Sequence, residues 1–107
     1  MELKVFWTRF AKYKLEDIFS YYKYRAGIKT ARKIVTGITD ETIILTKNPE
    51  IGQVEELLKE RPQQFRYLVY TNYKIIYRIN KEKNRIIIDN VFDTRQNPLK
   101  IQETKVE

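Results

Sequence analysis

Cysteine and histidine are both absent from this chain of 107 residues. The lack of cysteine excludes disulfides, thiolate nucleophiles and cysteine-ligated metals, so the stability of the protein must come from packing. The lack of histidine removes the side chain best suited to proton transfer near neutral pH, and with it Ser-His-Asp and Cys-His catalytic arrangements. Only three glycines occur, at Gly27, Gly37 and Gly52. None of them fits the spacing of a phosphate-binding loop.

Long apolar runs are also missing. No stretch approaches the roughly 20 apolar residues that cross a bilayer, and the first five residues lack the charged-then-apolar order of a signal peptide. The carboxylates are scattered, and adjacent pairs such as Glu16-Asp17 lie on helical segments, where charge usually marks a solvated face. We therefore expect a protein of the reducing cytoplasm that holds no metal and no cofactor.

Positive charge is abundant and uneven. The net charge is +7, with +2 in residues 1–60 and +5 in residues 61–107. A surface of one sign attracts and steers polyanions, so the expected partners are nucleic acid, an acidic protein surface or an acidic peptide. The alternative is a solvated surface that only keeps the protein soluble. The length and the 42% of hydrophobic residues indicate a single domain, residues 1–107, with one core.

The first half of the chain reads as a strand followed by two helices. Residues 3–8 alternate in polarity like a short strand, and Thr8 can cap the helix that follows. Apolar residues then recur at steps of three and four up to Gly27, and a second such stripe ends near Asn48-Pro49 and Gly52. Because the link between them is short, we predict an antiparallel helical hairpin. The stripes consist of Ala11, Leu15, Ile18 and Tyr22, and of Ala31, Ile34, Val35, Ile38 and Leu45.

The second half reads as a β-meander. A polar connector with the apolar cluster Val54, Leu57 and Leu58 predicts one or two helical turns, which Pro62 ends. From Phe65 the hydrophobic period is two, and short turns separate successive strands. The predicted strands are 65–70, 73–80 and 85–92.

These elements predict an α+β fold of order β-α-α-β-β-β. The helical hairpin packs on one face of a small antiparallel sheet, and the other face stays partly open to solvent. The first strand must join the sheet, because a lone strand is only marginally stable. From Asp93 onward the periodicity fades, which favours disorder in the tail, residues 99–107.

The open face of the sheet should carry cations and tyrosines. Lys74 and Arg78 have the same parity on one strand, so they should emerge on one face. Arginine holds phosphates or carboxylates bidentately, and tyrosine can stack on bases. The alternative is an ordinary half-exposed strand, where such residues are common. The candidate anion- or partner-binding residues are Lys74, Arg78, Arg85, Tyr73 and Tyr77.

The same features carry a resemblance to a known family. These features are the helix stripe, the break at Asn48-Pro49 and Gly52, and the segments Arg66-Tyr67-Leu68, Tyr73-Lys74-Ile75-Ile76-Tyr77-Arg78-Ile79 and Val91-Phe92-Asp93-Thr94-Arg95-Gln96-Asn97-Pro98. Together they resemble the RelE/ParE superfamily of toxins. These belong to type II toxin–antitoxin modules and are sometimes described as plasmid stabilisation proteins. The resemblance covers roughly residues 3–98. It implies a cognate antitoxin that wraps the toxin, and a disordered acidic segment folding onto a basic surface is physically reasonable.

The superfamily implies one of two activities. RelE-like members cleave messenger RNA in the ribosome, and ParE-like members block DNA gyrase without cleaving nucleic acid. RNA cleavage needs a base, an acid and cations. The chain could supply the cations, for which Arg66, Arg78 and Arg95 are the candidate catalytic residues. However, it has no histidine, and no tyrosine follows Tyr77, which favours the ParE-like branch.

The leading hypothesis is therefore a ParE-like toxin that binds DNA gyrase and is neutralised by an antitoxin. A ribosome-dependent endoribonuclease is the alternative enzyme, and a non-toxic binding module or decayed toxin is the third hypothesis. Arg66 also has a purely structural interpretation, as an ion-pair partner of Asp89 or Asp93.

Overall fold

The computed structural model describes residues 2–107 and shows two helices against one face of a five-stranded sheet. Short 3-10 turns occur at Ile44–Thr46, Glu56–Leu58 and Pro98–Glu103. The α+β fold with its N-terminal helical hairpin is confirmed. The elements are β1 (Lys4–Trp7), α1 (Arg9–Ala26), α2 (Ile28–Ile43), β2 (Gln53–Val54), β3 (Arg66–Tyr70), β4 (Tyr73–Asn80) and β5 (Arg85–Asp93).

The ends of the two helices follow local sequence signals. Thr8 caps α1, since its Oγ1 accepts a hydrogen bond from the backbone N–H of Ala11 at 3.2 Å. Gly27 joins the helices with φ at 94°, a conformation that side-chain-bearing residues rarely adopt. Helix α2 ends at Ile43, two residues before the end of the predicted stripe, but Leu45 remains fully buried in the following 3-10 turn. The hairpin therefore presents the predicted apolar stripes to the sheet.

The sheet has the order β1-β5-β4-β3-β2 and is mixed rather than antiparallel. Strand β1 pairs in parallel with β5, in the register Val5 with Ile86 and Trp7 with Ile88, whereas the other pairs are antiparallel. The prediction of an antiparallel sheet was therefore wrong for β1. Sequence periodicity indicates that β1 is a strand, but it carries no information about the direction of the strand. The two-residue strand β2 lies within the predicted polar connector and was also missed.

Two apolar clusters lie on opposite faces of the sheet. The first is formed by the helical stripes with Tyr73, Ile75, Tyr77, Ile86, Ile88 and Val91. The second, on the face away from the helices, consists of Leu58, Phe65, Ile76, Phe92 and Ile101, with Val106 packed against it.

The face predicted to be open is therefore covered at its centre, and the tail is packed rather than disordered. Ile101 is fully buried, and Arg61 holds the backbone carbonyls of Gln102 and Thr104 at 2.5 and 2.6 Å. The physical reason is that Ile76 and Phe92 alternate onto this face and need an apolar cover. The short 3-10 turn at Pro98–Glu103 supplies it.

A β-bulge interrupts the pairing of β4 with β5. Ile76 pairs with Asn90 and Tyr77 pairs with Ile88, so Asp89 is the extra residue. The bulge changes the parity of β5, and both Asp89 and Asn90 contact groups on the face away from the helices. It thereby places a carboxylate beside Arg78 of β4.

Among residues 2–107, neither helix is both long and apolar enough to span a membrane.

Candidate functional site: the cationic face of the sheet

Lys74 lies on the sheet face away from the helices and is held by a buried carboxylate. Its Nζ lies 2.8 Å from Oε2 of Glu55, whose side chain is only 2% exposed. The ammonium also sits 4.2 Å from the ring centroid of Tyr67. Glu55 is fixed in turn by the backbone N–H of Leu57, which donates to its Oε1 at 3.2 Å. Lys74 is therefore a partly buried, paired cation.

Arg78 lies on the same face and is paired with Asp89. Its Nε donates to Oδ2 of Asp89 at 2.8 Å, and the carboxylate is completely buried. Within residues 2–107, the other oxygen of Asp89 has no hydrogen-bond partner. Burial therefore raises the pKa of Asp89 to about 6, against the opposing effect of the hydrogen bond from Arg78. The second amino group of Arg78 reaches the backbone oxygen of Glu107 at 3.4 Å.

Arg85 opens β5 at the far edge of this face. It pairs in register with Lys4 of β1, and its guanidinium lies 5.1 Å from the ring centroid of Phe6. Phe6 is 40% exposed. Arg85 is thus a half-buried cation beside an exposed aromatic ring.

Arg66 is turned toward backbone oxygens rather than toward Asp89 or Asp93. Its Nη1 donates to the carbonyl of Gly52 at 2.8 Å and to that of Glu50 at 3.3 Å. Arg66 and Arg78 line one cleft at the end of the sheet, together with Gln63, Gln64 and Lys81. The ion-pair interpretation proposed for Arg66 is therefore wrong: the basic partner of Asp89 is Arg78.

Arg95 lies at the opposite end of the sheet. Its guanidinium holds both oxygens of Asp93, with distances of 3.0 and 2.9 Å. These bonds lower the pKa of Asp93 and raise the pKa of Arg95. Asp93 pairs with Tyr73, whereas Arg66 pairs with Tyr77, four residues or roughly 13 Å along the same strand. The three candidate catalytic arginines therefore do not converge on one site.

Tyr73 and Tyr77 lie in the core beneath the helices, not on the cationic face. They are 3% and 0% exposed. Tyr77 donates its hydroxyl to the carbonyl of Pro49 at 2.7 Å and accepts from the N–H of Gly52 at 2.9 Å. Burial raises the pKa of both phenols. In this packing neither ring is presented for stacking on a ligand, and Tyr73 contributes only to the lining of a cleft that it shares with Arg95.

Sequence reasoning missed the acidic partners of these cations. A lone aspartate after three isoleucines in β5 signals a paired buried charge, since aspartate is rarely buried otherwise. That signal identifies Asp89 but not its partner, which depends on the bulge. No local pattern distinguishes Glu55 from Glu56 as the residue that turns inward. Lys74 and Arg78 are thus neutralised within the chain, whereas the guanidinium of Arg85 contacts only the ring of Phe6 among the described residues.

Comparisons with known proteins define the relatives of this chain. The family model described as the ParE toxin of the type II toxin–antitoxin system parDE matches residues 5–98. Among solved structures, the chain is similar to a chromosomal ParDE toxin–antitoxin system from P. aeruginosa, with a TM-score of 0.70 and 22% identity over 86% of this chain and 96% of that chain.

The chain is also similar to the RelBE2 toxin–antitoxin complex from Mycobacterium tuberculosis, with a TM-score of 0.60 and 16% identity over 87% of this chain and 99% of that chain. No curated protein sequence matches the chain. The structural likenesses agree with the fold, and the family match extends through β1 to β5 and beyond. The chain belongs to the ParE family of toxins of type II toxin–antitoxin systems.

Proposed function

We propose that this toxin acts by binding DNA gyrase and is held inactive by a cognate antitoxin. The observation that carries the proposal is membership of the ParE family over residues 5–98. Inhibition by binding needs a complementary surface but no proton transfer. This agrees with a site in which Lys74 and Arg78 are paired structurally instead of being poised around a reacting phosphate.

The internal ion pairs also suggest how an antitoxin engages this face. Arg85 and the exposed ring of Phe6 lie at its edge, and an acidic segment could add carboxylates there without breaking the pairs of Lys74 or Arg78. The two structural relatives are described as toxin–antitoxin systems. We propose that Arg85, Lys74 and Arg78 contribute to the surface that the antitoxin covers.

A supercoiling assay tests the proposed target. Purified toxin at micromolar concentration should slow the supercoiling of relaxed plasmid by gyrase, and co-purified antitoxin should restore it. Unimpeded supercoiling, with the toxin shown to be folded by circular dichroism, would refute the proposal. Growth after expression without the antitoxin is the accompanying readout, because a decayed toxin or a non-toxic module leaves growth normal.

The second candidate is a ribosome-dependent endoribonuclease. One observation favours it: Arg66 and Arg78 line the same cleft, with Lys81 beside them, and could hold a phosphate. The lining also includes the carboxylates of Glu50 and Glu82, which are the candidate bases, since the chain has no histidine. Mapping of messenger 5′ ends after induction separates the two functions, because only the nuclease creates new ends.

A further inference from the structure

The tip of the helical hairpin carries a second basic surface, distinct from the sheet. We define the tip as the last turn of α1, Gly27 and the first two turns of α2. No aspartate or glutamate occurs in residues 18–39, yet this stretch contains five cations, all of them exposed. They are Lys23, Arg25, Lys29, Arg32 and Lys33.

These tip cations are uncompensated, unlike those of the sheet. Within residues 2–107 the ion pairs are made by Lys47, Lys74, Arg78 and Arg95, none of which belongs to the tip. Among the described residues, the one ring contact of a tip cation is that of Arg25, which lies 4.9 Å from the ring centroid of Tyr21. The tip therefore projects a positive field that the rest of the described chain does not neutralise.

The three tip cations of α2 are placed unfavourably for that helix. Lys29, Arg32 and Lys33 are spaced as neighbours on one helical face, where like charges repel. They also lie near the N-terminus of α2, where the helix dipole is already positive. Gly27 offers no side-chain cap, and the first turn of α2 contains no acidic residue. A bound anion would relieve both effects.

Exposed tyrosines accompany these charges. Tyr24 is 91% exposed and Tyr21 is 42% exposed. Like lysine and arginine, tyrosine hydroxyls are donors to phosphate oxygens in complexes with DNA. The tip thus combines charged and neutral donors that suit a phosphodiester backbone.

Charge density favours duplex DNA over an acidic peptide. All five cations lie within two helical turns of Gly27, or about 10 Å along either helix. Duplex DNA presents about one negative charge per 1.7 Å of its axis. An extended peptide carries at most one per residue, or about 3.3 Å, and a helical peptide matches the spacing of DNA only if nearly every residue is acidic. We propose that the hairpin tip binds the phosphate backbone of duplex DNA without reading its sequence.

This DNA-binding surface goes beyond the proposed function and does not depend on it. It requires neither gyrase nor an antitoxin, because the full chain alone should bind DNA. If the toxin did not inhibit supercoiling, DNA binding by the tip would not be contradicted. If the toxin did not bind DNA, the proposed inhibition of gyrase would not be contradicted.

Fluorescence anisotropy with a labelled 20-base-pair duplex tests the proposal across a salt titration. Five phosphate contacts predict a slope of log K against log salt of roughly −4.5, since each contact contributes about −0.9. The triple variant Lys29→Gln, Arg32→Gln and Lys33→Gln should reduce the magnitude of that slope by roughly 2.7. Its thermal stability should not fall, because the variant removes repulsion at the start of α2.

The matched control changes three exposed lysines outside the tip, with Lys59, Lys83 and Lys100 each replaced by Gln. Both variants lower the net charge equally, and the control should keep a slope close to that of the wild type. Equal loss of slope in the two variants would show that only net charge matters and would overturn the proposal. The proposal would also be overturned if duplex RNA bound more tightly than duplex DNA. It would likewise be overturned if a poly-glutamate peptide bound more tightly than duplex DNA and the tip variant lost that peptide binding.

Discussion

The hydroxyl of Tyr77 connects the core strand β4 to the segment that leads into β2. It bonds to both Pro49 and Gly52, and a Cβ added to Gly52 would lie only 2.5 Å from that hydroxyl. Gly52 is therefore required for the close approach, not only for ending the helical region. A polar group that is this deeply buried is tolerated because both of its hydrogen-bonding capacities are used.

Tyr77→Phe should destabilise the protein by about 1–3 kcal/mol, because it leaves the N–H of Gly52 and the carbonyl of Pro49 without their partner. Urea denaturation measures the loss. Tyr13→Phe is the matched control, since Tyr13 is 57% exposed, and it should change stability by less than about 0.5 kcal/mol. Equal effects of the two substitutions would contradict the buried hydrogen-bond account.

Asp89 makes stability depend on pH in a defined direction. Its pKa is raised from 3.8 to about 6 in the folded protein, so the native state binds the proton more tightly than the unfolded chain. Stability from this group is therefore fully present below about pH 4 and is lost as the pH rises through 6. Arg78 and Arg61 act against this shift, and Glu107 acts with it.

Asp89→Asn removes that titration. The stability of the wild type relative to the variant should fall by about 2 kcal/mol between pH 4 and pH 7, since each pKa unit corresponds to about 1.4 kcal/mol and the unfolded carboxyl is already about half ionised at pH 4. Other carboxylates, including Asp93, cancel in the difference. Denaturation curves for both proteins at several pH values provide the measurement. A difference that does not vary with pH would mean that Asp89 stays ionised throughout the range.

At the scale of elements, the contact between α2 and β3 depends on Gly37. A glycine inside a helix usually costs about 1 kcal/mol relative to alanine. Here a Cβ would overlap the phenol of Tyr70, which packs against the helix-side core. The close packing of α2 against β3 thus explains why a glycine stands inside the helix. The local sequence does not show this packing.

Gly37→Ala should therefore destabilise the wild type, by about 1–3 kcal/mol for an overpacked contact. In a Tyr70→Ala background the same change should stabilise by about 1 kcal/mol, because only the helix propensity remains. Thermal unfolding of the four proteins of this double-mutant cycle gives both values. A stabilising effect of Gly37→Ala in the wild type would show that the phenol moves aside freely.

At the scale of the whole molecule, the C-terminal segment closes a second core on the back of the sheet. It joins elements far apart in sequence, because Asn90 donates to Oγ1 of Thr104 at 2.8 Å and the N–H of Arg9 bonds to the carboxylate of Glu107. The residues from 99 onward lie outside the matched family region. The sheet of this chain is therefore sandwiched between two apolar layers.

Ile101→Ala should destabilise the protein by about 2–5 kcal/mol, as expected for truncation of a fully buried isoleucine. Leu99→Ala, two residues away and 66% exposed, should cost less than about 0.5 kcal/mol. Calorimetric melting of the two variants makes the comparison. Similar melting temperatures would indicate that the C-terminal segment adds little to the native state.

The sequence by itself determined the helical hairpin, the meander and the family. These follow from local signals: the Thr8 cap, the change of hydrophobic period near Phe65 and the turn residues between strands. The alternation of side chains along β4 also places Lys74 and Arg78 on one face and Tyr73 and Tyr77 on the other. The predicted binding surface nevertheless included all four residues.

Tertiary structure decided the parallel pairing of β1 with β5, the bulge at Asp89 and the packing of Ile101. It also decided that Glu55 neutralises Lys74, that Asp89 neutralises Arg78, and that Arg95 lies far from Arg66. Each of these depends on contacts between residues distant in the chain. Local propensity and periodicity report only on near neighbours, so they carry no information about strand direction, register or the partner of a buried charge.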